Sequence, residues 1–189
     1  NDKENFKFIK YVESFLESKG FNVDLLNSKD NKKCLVAKSS DKCELCFIGH
    51  SDTVCYSEGW LTNPFNLTIS DEYLYGLGVC DMKGGIAAFL EVLNYINIKD
   101  LKYGIMMIIT YDEEIGFEGI MGVKDYKGIP DNVIIGEPTN NVPVISCKGC
   151  MEFKTTFSGI SVHSSEMING DNAILKCGKY INKLEKYFN

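Results

Sequence analysis

The sequence has no apolar run close to the ~20 residues of a membrane-spanning helix, and it has no cluster of basic residues. With 20 basic and 26 acidic side chains its formal net charge is −6, which argues against nucleic acid or an anionic membrane as a partner. Residues 1–5 lack the features of a signal peptide, and 8 cysteines without such a signal favour reduced thiols. We therefore expect a cytoplasmic protein.

Histidine is scarce, with only 2 in the chain, and both common phosphate-binding motifs are incomplete. The turn at residues 76–81 begins like a dinucleotide-binding motif, but Asp81 stands in place of the third glycine. Lys83 is followed by glycine and not by serine or threonine, so the phosphate-loop pattern also fails. Because a carboxylate repels phosphate, this turn is better suited to a cation.

Apolar segments of strand length alternate with segments of helical periodicity, which predicts an α/β fold. We expect a mostly parallel central sheet flanked by helices. Helices are predicted over residues 4–19, 82–97 and 118–126. Strands are predicted at 21–26, 34–38, 45–48, 104–110 and 132–135, the last two buried, with an edge-like pair of short strands within 67–75.

The pattern changes after residue 148. Residues 151–158 alternate between apolar and polar side chains, which predicts a half-exposed strand. Asp171 is expected to open a helix with four residues facing inward: Ile174, Cys177, Ile181 and Leu184. We therefore expect an incomplete catalytic, metal-binding domain over 1–148 and the start of a second, α+β domain over 149–189.

Acidic and imidazole side chains follow three apolar strands, and the carboxyl ends of parallel strands meet at one edge of a sheet. The residues expected to gather there as metal ligands are His50, Asp81, Glu114 and Glu137. One imidazole and three carboxylates suit zinc, with cobalt or manganese as substitutes. The two oxygens of Asp81 could bridge two ions ~3.5–4 Å apart.

Two further acidic residues have predicted roles beside the metal. Asp52 follows His50 by two positions, so it could accept the other imidazole N–H and fix the tautomer. Of the adjacent Glu113 and Glu114, one would bind metal and the other would act as general base. The alternatives are a helix cap for Asp81, a buried core histidine for His50 and a solvated loop for the acidic run.

A different kind of site is suggested by two Cys-x-x-Cys pairs, Cys43–Cys46 and Cys147–Cys150, which could hold a structural zinc. Residues 43 and 46 fall on a predicted strand, where positions three apart face opposite sides, so their sulfurs should not converge. Scattered buried thiols are the preferred interpretation.

Four motifs, in order, resemble those of the dinuclear zinc amidohydrolases. That family includes acetylornithine deacetylase, succinyl-diaminopimelate desuccinylase, aminoacylases and glutamate carboxypeptidases. The motifs span nearly the whole chain, which makes the match specific, and they lie at 49–54, 78–84, 112–114 and 135–139. The resemblance implies that His50 and Glu137 bind one metal and Glu114 the other, with Asp81 bridging and Glu113 as the base. It also implies a cis peptide bond after Asp81.

Known relatives carry an inserted lid through which they dimerise, and this fits the change of pattern near residue 149. His163 resembles a lid histidine that reaches the neighbouring subunit's active site and stabilises the oxyanion, although Val162 replaces the glycine usual before it. The family also supplies a histidine ligand near the C-terminus, which nothing here matches. We therefore expect the 189 residues to be part of an enzyme and to be inactive in isolation.

The branch that contains acetylornithine deacetylase has the most similar motifs, so a homodimeric hydrolase of an N-acyl amino acid, N-acetylornithine, is the predicted function. A desuccinylase or dipeptidase with the same catalytic residues is the alternative enzyme. A non-catalytic relative or a structural zinc protein is the alternative of another class.

Overall fold

The computed structural model describes residues 2–27, 32–149 and 151–188, and the chain divides into two compact units, Asn1–Pro143 and Val144–Asn189. The division lies a few residues before the predicted boundary between 148 and 149, and the catalytic and lid roles of the units stay predictions. Among the described residues, no helix is both long and apolar enough to cross a membrane.

The first unit contains seven strands and three α-helices within its described residues. The strands are β1 (Asn22–Asn27), β2 (Lys33–Lys38), β3 (Cys43–His50), β4 (Thr68–Ser70), β5 (Tyr73–Tyr75), β6 (Gly104–Thr110) and β7 (Asn132–Ile135). The helices are α1 (Asp2–Ser18), α2 (Gly84–Val92) and α3 (Glu118–Val123). The elements follow the predicted order, but α2 ends at Val92 and not near residue 97.

A five-stranded sheet in the order β1-β2-β6-β3-β7 forms the centre of this unit. β2 is antiparallel to β1 and β6, whereas β3 is parallel to both β6 and β7. Four of the five strands therefore run in one direction, and the predicted mostly parallel α/β sheet is confirmed. β4 and β5 pair with each other in a separate hairpin, as expected.

Both faces of the sheet are covered because its central strands are apolar on both sides. Every residue of β6 is buried. One face packs against α1 and α2 through Ile9, Leu16 and Ile86, while the other packs against α3 through Val123. This double packing fixes the ends of β3 and β6, where the acidic residues follow.

The prediction that β7 is buried was wrong. Its side chains Val133, Ile134 and Ile135 are 41%, 51% and 61% exposed. The strand pairs with β3 alone and forms an edge of the sheet. A run of apolar residues does not distinguish an edge strand from a central one.

The expectation that Cys43 and Cys46 face opposite sides was also wrong. The register shifts between Cys43 and Leu45, and both cysteines pack in the cluster on the α3 side of the sheet. An extra residue in a strand reverses the alternation of faces. The second pair is not comparable, because Cys150 lies outside the described residues.

The second unit contains helix α4 (Ala173–Phe188). Its described residues 151–158 form no strand, and a single antiparallel bridge joins Ile160 to Asp171. The helix starts after Asn172, whose Oδ1 accepts the N–H groups of Ile174 and Leu175, and not at Asp171.

The predicted inward face of α4 is only partly correct. Ile174 and Ile181 are 81% and 57% exposed, whereas Cys177 and Leu184 are half-buried. Contacts between α4 and the preceding segment include the rings of Phe157 and Tyr180, 5.5 Å apart, and a hydrogen bond from Lys176 Nζ to the carbonyl of Ser158 at 2.9 Å.

Candidate metal centre

The candidate site lies beyond the ends of β3 and β6. His50 is the last residue of β3 and is only 2% exposed. The next residue, Ser51, donates its backbone N–H to the carbonyl of Thr110 at 2.9 Å, so the ends of the two strands stay in register. The carboxylates of the following loops therefore converge on one buried imidazole.

The two ring nitrogens of His50 face different groups. Nε2 lies 3.2 Å from Asp81 Oδ1, 3.6 Å from Glu137 Oε1 and 3.9 Å from Glu113 Oε2. Nδ1 lies 3.1 Å from the carbonyl oxygen of Asp52 and 3.4 Å from its Oδ1. Nε2 is thus the ring nitrogen that faces the cluster of acids.

Asp52 links His50 to the acidic run after β6. Its two carboxylate oxygens accept the backbone N–H groups of Glu113 at 3.3 Å and Glu114 at 3.2 Å. Burial would raise the pKa of Asp52, but the hydrogen bonds from His50 and from these two N–H groups outweigh it and lower the pKa. Asp52 is therefore held as a carboxylate next to Nδ1.

The electrostatics of His50 reflect the same surroundings. Burial alone would lower its pKa, but the hydrogen bond with Asp52 and the charges of Asp52, Glu137 and Glu113 raise it to about 9. Without a metal, the imidazole is therefore a cation at neutral pH. Its positive charge offsets the negative charges of Asp52, Glu113 and Glu137.

Asp81 reaches the site from the turn Val79–Lys83 before α2. Gly78, with φ +80°, precedes the turn, and the peptide bond between Asp81 and Met82 is cis, as the family resemblance implied. Met82 is fully buried against the sheet, while the Asp81 side chain is half-exposed. The turn thus directs the Asp81 carboxylate to His50.

Two acids carry raised pKa values. Burial raises the pKa of Glu137 to about 7, assisted by Asp81 and Glu113 and opposed by His50. The pKa of Glu114 is raised by burial first and by Asp81 second. Glu114 Oε1 is buried and has no hydrogen-bond partner among the described residues. Such an oxygen fits a bound cation, because leaving a buried acceptor unsatisfied is costly.

The described residues contain two groups whose ligand atoms lie within 4.8 Å of one another. One consists of His50, Asp81 and Glu137, and the other of His50, Glu113 and Glu114. The structure thus brings together all four residues expected as ligands, although Asp81 is not part of the second group. Neither group contains a thiol. This donor set, one imidazole among carboxylates, fits a divalent cation such as zinc or manganese.

His163 belongs to the second unit. It precedes a short turn at Ser164–Asn169, and its Nδ1 lies 2.8 Å from the hydroxyl of Ser165. The side chain is exposed within that unit. Its predicted role at the oxyanion stays a prediction.

The sequence did not predict which residues hold the loop that contains His50 and Asp52 in place. Ser51, Asp52 and Lys83 line a cleft of about 740 Å³ to which α1 contributes Asn5 and Phe8. In the sequence Lys83 belongs to the motif at 78–84 and to an incomplete phosphate-binding motif, and neither predicts a contact with Ser51. The sequence signal that could have indicated a role at the site is the position of Lys83 two residues after Asp81.

Residues 46–180 match the family model described as peptidase family M20/M25/M40. The chain belongs to this peptidase family. An acetylornithine deacetylase from Klebsiella pneumoniae (strain 342) is 35% identical over 178 residues, covering 92% of this chain and 46% of that protein. Another, from Myxococcus xanthus, is 34% identical over 192 residues, covering 97% of this chain and 50% of that protein.

Solved structures of M20 relatives share the fold. Human carnosine dipeptidase 1 has 27% sequence identity and a TM-score of 0.60, over 70% of this chain and 32% of that one. Aminopeptidase PepT from Bacillus cereus has 19% identity and a TM-score of 0.64, over 97% of this chain and 52% of that one. The chain spans about half the length of the curated relatives it matches. The cluster of acids around His50 thus lies in a chain of the M20 peptidase family.

Proposed function

We propose that this chain carries the metal site of a zinc-dependent hydrolase that cleaves the amide bond of an N-acyl amino acid, with N-acetylornithine as the first candidate substrate. The observation that carries the proposal is the buried, partnerless Glu114 Oε1 beside a cluster of acids around one buried imidazole. The similarity to acetylornithine deacetylases at about 35% identity supports the choice of substrate.

Zinc would be held by His50 Nε2 and the carboxylates of Asp81 and Glu137. A second ion would take Glu114 and the other oxygen of Asp81. Bound divalent ions polarise a substrate carbonyl and lower the pKa of water. Cobalt or manganese would suit the same donors.

Glu113 is the residue we assign to proton transfer. Its backbone N–H is anchored on Asp52, while its side-chain Oε2 lies 3.9 Å from His50 Nε2, at the edge of the candidate metal position. There it would accept the proton of the attacking water and donate it to the leaving amine nitrogen. Asp52 would keep the proton of His50 on Nδ1, so that Nε2 remains free to bind metal.

We further propose that the protein is a cytoplasmic homodimer whose second unit, 144–189, forms part of the lid. In this assembly His163 would donate a hydrogen bond to the oxyanion of the neighbouring subunit's substrate. The support for this part is the family resemblance of residues 163–165 and the absence of a helix that could span a membrane from the described residues.

A dipeptidase is the second candidate, favoured by the 27% identity to human carnosine dipeptidase 1. Both reactions hydrolyse an amide next to an amino acid and would use the same metal ligands. They differ in the group on the other side of the bond, which a substrate panel separates.

The test combines metal analysis with a substrate panel. The enzyme with the complete ligand set is assayed with N-acetylornithine, N-succinyl-diaminopimelate and a dipeptide, each with added Zn²⁺ or Co²⁺, because the 189-residue chain gives the second ion only two donors. We expect metal-dependent release of acetate from N-acetylornithine to be the fastest reaction. Faster cleavage of the dipeptide would favour the second candidate, and a lack of metal-dependent hydrolysis of all three would refute both.

A zinc titration of the 189-residue chain tests the ligand assignment independently. His50, Asp81 and Glu137 give one ion three donors, whereas Glu114 and a shared Asp81 give the other only two. Because catalytic zinc normally has three protein ligands, we expect one tight site and no turnover in this chain. Two tight sites with turnover would show that the ligand count is wrong.

A further inference from the structure

Lys83 is a half-buried cation without a role in the proposed reaction. It closes the turn that carries Asp81, and its Nζ donates to the carbonyl oxygen of Ser51 at 2.8 Å. The ammonium also lies 5.9 Å from the centroid of the Phe8 ring.

Ser51, the residue that Lys83 contacts, is buried and uses every one of its polar groups. Its backbone N–H and its Oγ both donate to the carbonyl of Thr110 at 2.9 Å. The Asn5 side chain donates to the same Oγ at 2.7 Å. The remaining group, the Ser51 carbonyl, receives the Lys83 ammonium, so removal of Lys83 would leave a buried acceptor unsatisfied.

The Ser51 carbonyl belongs to the peptide unit that leads into Asp52. Because a peptide unit is planar, fixing that carbonyl also fixes the position of the Asp52 backbone. Asp52 then faces His50 Nδ1 and accepts the N–H groups of Glu113 and Glu114. One hydrogen bond from Lys83 therefore supports two of the sequence motifs, those at 49–54 and 112–114.

The turn before α2 leaves room for this contact. A Cβ placed on Gly78 would lie 3.0 Å from Lys83 Nζ and 2.5 Å from Thr53 Cγ2. Any other residue at position 78 would therefore displace the lysine side chain or the loop after Asp52. Glycine is also favoured there by the φ of +80°.

We propose that Lys83 is a positioning residue that orients Asp52 through the Ser51 carbonyl, and thereby holds His50 and the Glu113–Glu114 backbone in the geometry that binds metal. This inference rests on the metal site of the proposed function and not on the identity of the substrate.

The test replaces Lys83 in the 189-residue chain and follows amide hydrogen exchange by NMR. In Lys83→Met the Glu113 and Glu114 amides, which donate to Asp52, should exchange about tenfold faster, while the β6 amides of Met107 and Ile108 stay protected. Zn²⁺ should bind about tenfold more weakly, the lower end of the effect of residues that support a metal ligand. Lys83→Arg, which keeps the charge and donors, should restore both in part.

Lys38→Met is the matched control, because Lys38 also lies against an aromatic ring, Tyr126 at 4.5 Å, but on β2 and away from Ser51. It should change neither measurement. If Lys83→Met does not fold, Lys83→Gln takes its place, since the amide is too short to reach the Ser51 carbonyl.

Three results would overturn the inference: unchanged exchange at residues 113 and 114, an equal increase at β6, or failure of both variants to fold. The last two would assign Lys83 to the stability of the fold. Failure of the unsubstituted chain to bind zinc would instead refute the proposed function, while the exchange measurement would still decide on Lys83.

Discussion

The two compact units differ in how much of their structure is removed from solvent. Every buried residue lies in the first unit, whereas no described residue of 144–188 is buried. His50 and the run Glu113–Glu114 therefore lie at the ends of β3 and β6, which a packed core holds in place, while His163 lies beside an exposed turn. The candidate site of the first unit is thus held in place by buried strands, whereas the second unit presents its histidine to solvent.

The largest effect should come from the base in the first unit. In the enzyme with the complete ligand set, Glu113→Gln should lower kcat about 10²–10⁴-fold, because the amide is nearly isosteric but cannot accept the proton of water. Zinc affinity should stay unchanged, as measured by competition with a chelator. Glu114→Gln is the comparison, because it should weaken metal binding itself. Loss of metal from the Glu113 variant, with activity retained, would mean that the two roles are reversed.

His163 in the second unit should be almost as important for turnover. His163→Ala should lower kcat roughly 10²–10³-fold with little change in KM, as expected for a donor that contacts only the developing oxyanion. A change confined to KM would contradict that role. Mixing this variant with Glu113→Gln should restore activity if the histidine acts across a dimer, since each mixed dimer then contains one intact site.

Stability should separate the units more directly than activity does. Met107→Ala in β6 removes a fully buried side chain and should cost about 2–5 kcal/mol in urea unfolding. Ile181→Ala in α4 removes a side chain that is already exposed, so its effect should stay within about 0.5 kcal/mol. A large loss of stability at Ile181 would show that α4 is covered in solution, for example by a second copy.

Sequence reasoning succeeded where one local pattern has one structural meaning. The buried β6, the pair β4–β5 and the gathering of His50, Asp81 and Glu137 follow from periodicity and from the edge at which parallel strands end. It failed where the outcome depends on distant partners. The exposed β7 has a strand on one side only, and residues 151–158 have no strand partner.

The support of Asp52 could not have been predicted either. The contacts of Ser51 come from α1, β6 and the turn before α2, which are separated by tens of residues in sequence. The bulge after Cys43 likewise changed the face of one cysteine without a local signal. Residue types indicated the candidate metal ligands, whereas the hydrogen bonds around them could be seen only in the three-dimensional structure.

The smallest expected effect is on the pH dependence of stability in the metal-free chain. The folded pKa of His50 is raised from 6.5 to about 9, so its stabilising contribution is complete below pH 6.5 and is lost as the pH rises toward 9. The folded pKa of Glu137 is raised from 4.5 to about 7, so deprotonation destabilises the folded state over that range. Both shifts predict that the free energy of unfolding falls from about pH 5 upward.

Urea unfolding between pH 5 and about pH 8.5 measures this slope. Unfolded thiols begin to ionise at the upper end of that range, and His50→Gln, which has the same thiols, corrects for them. His50→Gln should remove the part of the fall that comes from loss of the imidazolium, so that what remains is the titration of Glu137. The effect should be modest, since Glu137 and its acidic neighbours are partly exposed and screened. Saturating Zn²⁺ should reverse the slope, because metal replaces the protons on His50 and Glu137 and binds more tightly as they leave. A stability that rises between pH 7 and 8.5 without metal would mean that the imidazole is not the cation that balances these carboxylates.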